Sequence, residues 1–103
     1  MNWEILKSEQ QFLDLLQSDI IFAVFKHSTR CSISSMVKSR VERSWDLDFP
    51  IYYLDLIQYR GVSNLIADKS GIEHESPQMI VFKNGKVLYS ASHTGIDVSE
   101  MKV

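Results

Sequence analysis

Residues Ile20-Ile-Phe-Ala-Val-Phe25 form an unbroken apolar run of six, and it constrains the fold more than any other stretch of the chain. An uninterrupted run cannot alternate between core and solvent, so a strand built from it must be covered on both faces. A short polar loop follows, Lys26-His-Ser-Thr-Arg30. Cys31-Ser-Ile-Ser34 then opens a stretch in which Ile33, Met36, Val37, Val41 and Trp45 recur at helical spacing. The one cysteine of the chain therefore falls in the first turn of a helix. Unpaired backbone N–H groups and the helix dipole favour an anion there, in this case a thiolate.

The remaining elements follow from the same patterns. Trp3, Ile5 and Leu6 read as a short opening strand, and Ser8-x-x-Gln11 as a capping box for a helix running to about Ser18. Asp46 to Pro50 is a connection into a strand over Ile51–Leu56. Tyr59 to Ser70 carries Val62, Leu65 and Ile66 at helical spacing, closed by Gly71. Met79–Lys83 and Lys86–Ser90 flank Asn84-Gly85, a strong hairpin signal, and Asp97–Val103 has room for only a stub of helix. The order β-α-β-α-β-α-β-β-α, with a right-handed crossover followed by a helix and a hairpin, predicts a central mixed sheet flanked by helices on both faces. With a cysteine opening the helix after the central strand, this α/β order resembles a thioredoxin fold. A chain of 103 residues has room for one core, so residues 1–103 are expected to form a single domain.

Bulk properties exclude several classes. No apolar run approaches the roughly 20 residues of a membrane span, and the N-terminal residues lack the basic flank and apolar core of a signal peptide. A lone cysteine makes no internal disulfide, which speaks against a stapled extracellular scaffold, so a cytoplasmic protein is expected. The net charge of −2 conceals an asymmetry: Lys26, Arg30, Lys38, Arg40 and Arg43 face only Glu42 within their segment. That segment is either a solvated helix face or a positive field around Cys31 that stabilises thiolate and attracts anions. Nucleic acid is an unlikely partner for a chain that is acidic overall and lacks interleaved surface aromatics.

Particular residues narrow the class. Cys31-Ser-Ile-Ser34 resembles the Thr-Cys-Pro-Ile-Ser motif of the monothiol bacilliredoxins, small thioredoxin-like proteins. His74-Glu-Ser-Pro-Gln78 matches that family's His-Glu-Ser-Pro-Gln segment in full. The helix from Arg60 to Gly71, with Ser63-Asn64 and Ile66-Ala67, and the pair Ser92-His93 extend the likeness over almost the whole chain. Two departures stand at the motif itself: Arg30 precedes the cysteine in place of Thr, and Ser32 follows it in place of Pro. The resemblance implies a monothiol thiol–disulfide oxidoreductase. Cys31 would attack mixed disulfides of oxidised or S-thiolated cytosolic proteins. Bacillithiol or another low-molecular-weight thiol would be co-substrate, with no bound cofactor and no membrane partner.

Within that reading Cys31 is the nucleophile, and Ser34 replaces the second cysteine of a dithiol motif. Ser34 is either a plain first-turn polar residue or a hydroxyl donor to the thiolate, and resolution falls to an outside thiol. Pro77 is a strand-start proline or, as in thioredoxin-like proteins, a cis proline facing the cysteine. In the second case the backbone of Ser76 is left to pair with an extended substrate. A dicarboxylate thiol, as the resemblance implies, would find cations in Lys26 and Arg30 beside the cysteine and free backbone N–H groups at Thr94-Gly95, where glutaredoxins grip the acidic end of glutathione. His27 either tunes the thiol or lies on the loop surface, while His74 and His93 read as structural. Trp45, Tyr52, Tyr53 and Phe82 read as core. At the sixth position before the cysteine, where many thioredoxins bury a carboxylate, stands Phe25. No histidine pair has metal-ligand spacing with the cysteine, so no zinc site is expected.

Rival readings fare less well. Val37 stands where a phosphatase loop needs arginine, and Val24 where a peroxiredoxin motif needs proline. A monothiol glutaredoxin-like iron–sulfur carrier wants glycine after its cysteine, and Ser32 stands there. The remaining alternative is a redox-inert thioredoxin-fold binding module.

Overall fold

A computed structural model describes residues 1–102. Five strands, β1 (Trp3–Ile5), β2 (Ile21–His27), β3 (Ile51–Asp55), β4 (Gln78–Lys83) and β5 (Lys86–Ser92), form one mixed sheet in the order β1-β3-β2-β4-β5. β1, β3 and β2 run parallel, and β4 and β5 are added antiparallel. Three helices cover it: α1 (Glu9–Gln17), α2 (Ser32–Ser44) and α3 (Arg60–Ser70). The stub expected over Asp97–Val103 takes 3-10 form at Val98–Met101, with Val103 outside the described residues, and a further 3-10 turn stands at His93–Gly95.

β2 is central and buried on both sides, as its apolar run requires, and its alternation sorts the core into two layers. Ala23 and Phe25 pack with Val37 and Val41 of α2 and with Ile96, Val98 and Met101. Phe22 and Val24 pack with Phe12 of α1, Val62 and Ile66 of α3, and Leu54. Phe22 stacks on Phe82 and meets Phe12 edge-on, which gives the second layer aromatic packing beyond its apolar area.

Local chemistry fixes the element ends. Ser8 caps α1 by accepting the Gln11 N–H, but the Gln11 side chain reaches one residue further back than a capping box requires. It accepts from Lys7 N–H and donates to the Ile5 carbonyl, tying α1 to the end of β1. The hairpin turn has both Asn84 and Gly85 at positive φ, the geometry that a two-residue loop between right-twisted strands demands. Gly71 closes α3 in the left-handed conformation with its N–H on the Ala67 carbonyl.

β2 runs two residues further than the apolar run, because Lys26 and His27 are paired to Leu54 and Asp55 on one side and Lys26 to Gln78 on the other. The connection to α2 shrinks accordingly to Ser28, Thr29 and Arg30, with Cys31 at the N-cap. Phe82 is fully buried, whereas Trp45, Tyr52 and Tyr53 are half-buried rather than enclosed.

Candidate active site

Cys31 is half-exposed and occupies the N-cap of α2 in extended backbone conformation. Its N–H donates to the Ser28 carbonyl, closing a tight turn, and its carbonyl accepts the Ser35 N–H to start the helix. No side chain caps the first turn of α2 and no acid lies in it. The orphan N–H groups there are thus open to an anion at the sulfur position.

Ser34 is completely buried, and its hydroxyl is committed elsewhere than to the sulfur. Its Oγ accepts the Ser28 N–H at 3.2 Å and lies 2.7 Å from His27 Nδ1. His27 is itself buried, its ring stacked beside Phe25 and tilted against Tyr53. Burial, then the Lys38 charge, pushes its pKa down against an opposing pull from Asp55, so the ring is neutral at neutral pH. We assign it the Nε2–H tautomer, in which the Ser34 O–H donates to Nδ1. The role of hydroxyl donor to the thiolate is therefore corrected: Ser34 braces the Ser28–Cys31 turn from below. A histidine next to a polar loop gave no sequence signal for this, because the loop had to be recognised as strand first.

Lys26 is a second correction. Read as a loop cation beside the cysteine, it is instead a strand residue with no exposed surface. Strand alternation sends it to the α3 face, opposite to α2. There its Nζ lies 3.3 Å from His74 Nδ1 and 3.4 Å from the Ser63 carbonyl, and burial lowers its pKa to about 8. The flanking cation that is free to meet a ligand is Arg30, which is exposed.

The second wall of the site comes from the segment before β4. The Ser76–Pro77 peptide bond is cis. Gln78 is the register partner of Lys26, so Pro77 lies at the same end of the sheet as the Ser28–Cys31 turn. The Pro77 carbonyl accepts the His93 N–H at 2.8 Å, which brings the His93–Gly95 turn alongside. Glu75 accepts the Ser92 hydroxyl at 2.9 Å and its carboxylate stands 3.8 Å from His93 Nδ1, bracing the same corner. Thr94 and Gly95 are exposed and line a cleft of about 500 Å³ with Arg40, Asp97 and Glu100. Arg40 Nη2 donates to the carbonyls of Thr94 and Ile96, fixing α2 to that cleft. Sequence reading counted Arg40 only as part of a charged segment; its pairing is set by tertiary packing that spacing does not encode.

Beside the sulfur, Ile33 and Met36 are 47% and 51% exposed, although their spacing placed them in the buried stripe of α2. They lie on the outer face of the first turns of α2, whose inner face buries Ser34 and Val37, and they leave apolar surface close to Cys31 in the chain. Among the described residues no group of three or more histidine, cysteine, aspartate or glutamate side chains is arranged to hold a metal ion. No helix of the described residues is long and apolar enough to cross a membrane.

Sheet order, helix placement and a thiol at the tip of α2 make this a thioredoxin-fold protein. A sequence model of the family described as Monothiol bacilliredoxin BrxC matches residues 4–101, and the chain belongs to that family. Among solved structures it is similar to a thioredoxin-fold protein assigned as an oxidoreductase, with 34% identity, a TM-score of 0.81, and coverage of 95% of this chain and 88% of the other. Thioredoxin from Malassezia sympodialis superposes with a TM-score of 0.76 at 17% identity, covering 97% and 84% of the two chains. Thioredoxin from Plasmodium falciparum gives 0.72 at 14% identity over 95% and 91%, and at that distance the likeness speaks for the fold alone. Family and fold give the chain a thiol-redox role that uses a thiol co-substrate.

Proposed function

We propose that this protein is a monothiol oxidoreductase that removes bacillithiol, or a like low-molecular-weight thiol, from mixed disulfides on oxidised cytoplasmic proteins. The observation that carries the reading is the half-exposed Cys31 at an uncapped helix N-terminus in a chain with no second cysteine. The Cys31 thiolate attacks the small-thiol sulfur of a protein mixed disulfide. That S–S bond breaks, the client cysteine leaves as thiolate, and the small thiol is carried on Cys31 as a new disulfide. A second small-thiol anion then attacks that disulfide, regenerating the Cys31 thiolate and releasing a symmetric small-molecule disulfide. With one thiol in the chain, the second step has no internal competitor.

Recognition divides between the two walls. Arg30 faces the acidic end of the small thiol, and the Thr94–Gly95 side of the cleft offers backbone to the same ligand. Ile33 and Met36 give the client's side chains an apolar surface, and the Ser76 backbone pairs with its extended chain. The test is release of bacillithiol from a model protein mixed disulfide under excess free thiol. Wild type is expected to turn over repeatedly, and Cys31→Ser to fall to the uncatalysed rate. Equal rates for the two would overturn the assignment.

A further inference from the structure

The mechanism above leaves one buried charged group unused, the Lys26 ammonium. Its neighbours come from three segments: Ser63 in the first turns of α3, His74 ahead of the cis proline, and its cross-strand partner Gln78. Gln78 Nε2 donates to the Glu73 carbonyl at 2.9 Å, so both ends of the 73–78 segment are tied to this spot. An ammonium has no lone pair, so the 3.3 Å approach to His74 Nδ1 requires that nitrogen to be the acceptor. The Ser63 hydroxyl, 3.1 Å away, competes for the same lone pair. Two more polar atoms of the 73–78 segment are buried without a partner among the described residues, Ser76 Oγ and Gln78 Oε1. A polar cluster this poorly satisfied, with a desolvated cation at its centre, is costly to keep in a core that otherwise packs Phe and Ile. It sits directly beneath the segment that the proposed mechanism uses to take the client chain.

We propose that Lys26 and His74 are positioning residues that hold the 73–77 segment in its client-taking conformation. The hold depends on which of the two carries a proton. This rests on the function proposed above. The charge-assisted bond exists only while Lys26 is protonated and His74 Nδ1 is not. On the acid side a proton on Nδ1 turns the acceptor into a donor facing an ammonium. On the alkaline side the ammonium loses its proton and with it the cost of burying a charge, so the hold does not fail there. The surroundings keep this window near neutrality. His74 is pushed below the ordinary histidine range by burial, then by Lys26 and Arg60, against an opposing Glu75. Lys26 is brought to about 8 by burial. No carboxylate among the described residues pairs with Lys26. Glu9 of α1 approaches α3 at Gly61 and Glu73 touches the cluster through its carbonyl.

Two variants separate the hold from mere folding. His74→Gln keeps an acceptor that does not titrate, and His74→Leu removes it. Amide hydrogen exchange over 73–78, expressed as protection factors from pH 5.5 to 9, reads the segment without requiring turnover. Wild type is expected to lose protection in this segment toward the acid end of the range and to keep it toward the alkaline end. His74→Gln should abolish the acid loss. His74→Leu should be about tenfold less protected than wild type near neutrality, the equivalent of one charge-assisted hydrogen bond, with no further loss toward acid. With a peptide mixed disulfide, His74→Leu should raise KM by a similar factor with kcat little changed. Alkylation of Cys31 by iodoacetamide, which needs no client groove, should be the same in all three proteins. Wild-type protection or KM in His74→Leu, or an acid loss retained in His74→Gln, would overturn the proposal. Altered protection in a wild-type protein that turns over no mixed disulfide would uphold the hold and sink the function proposed above instead.

Discussion

At the end of β2 two adjacent residues feed two polar networks on opposite faces of the sheet. His27 joins Ser34 and Ser28 beside the Cys31 turn, and Lys26 joins Ser63 and His74 beside the 73–78 segment. The first network contains only neutral groups at neutral pH, has a 2.7 Å contact at its centre and is packed against aromatic rings. The second contains a buried formal charge whose contacts are 3.3 Å and 3.4 Å. Satisfied neutral bonds in a dry site add to stability, whereas a desolvated ammonium with long bonds subtracts from it. The α2 face thus fixes the thiol by stabilising structure, and the α3 face carries a charge whose use lies in function.

The largest effect expected from breaking this contrast is on the α2 face. Ser34→Ala leaves the Ser28 N–H and His27 Nδ1 buried without partners, at a cost of about 1–3 kcal/mol. The urea midpoint should fall with the slope unchanged. A midpoint equal to wild type would mean that the neutral network contributes nothing and the contrast is false.

Lys26→Met, of similar volume, is the smaller effect, expected within about 1 kcal/mol of wild type at pH 7 or on the stabilising side. Its pH dependence sharpens the comparison. Lys26 in the folded chain titrates at about 8 against an ordinary 10.5, so between those values the unfolded chain holds a proton that the folded one has released. Stability contributed through this group therefore rises with pH across that window, and the burial cost is fully present below it. Urea midpoints at pH 7 and pH 10 should show wild type gaining on Lys26→Met as pH rises. A constant difference between the two would place the Lys26 ammonium in contact with water.

The apolar period made the skeleton legible: the central strand, the three helices and the Asn84–Gly85 hairpin all carry a local signal. The place of the thiol was legible too, because a lone cysteine opening a helix after a buried strand is itself a pattern. What period reading missed depended on partners distant in sequence. Lys26 and His27 look like loop, and only pairing to Leu54, Asp55 and Gln78 makes them strand and assigns them faces. Ile33 and Met36 have the spacing of a buried stripe, yet the face of α2 that packs on the sheet is the one carrying Ser34, Val37 and Val41. The terminal segment combines a local cap, Asp97 on the Ser99 N–H, with the Arg40 bonds to the Thr94 and Ile96 carbonyls, which come from a distant part of the chain.

The central claim is that Cys31 takes the small thiol and not the client protein onto itself. A single-turnover reaction tests it directly: excess reduced protein, a bacillithiol mixed disulfide of a model client, no free thiol, and intact-mass analysis after an acid quench. The expected products are this chain with one bacillithiol added at Cys31 and the client with a free thiol. A covalent adduct of this chain with the client, or bacillithiol still on the client, would contradict it.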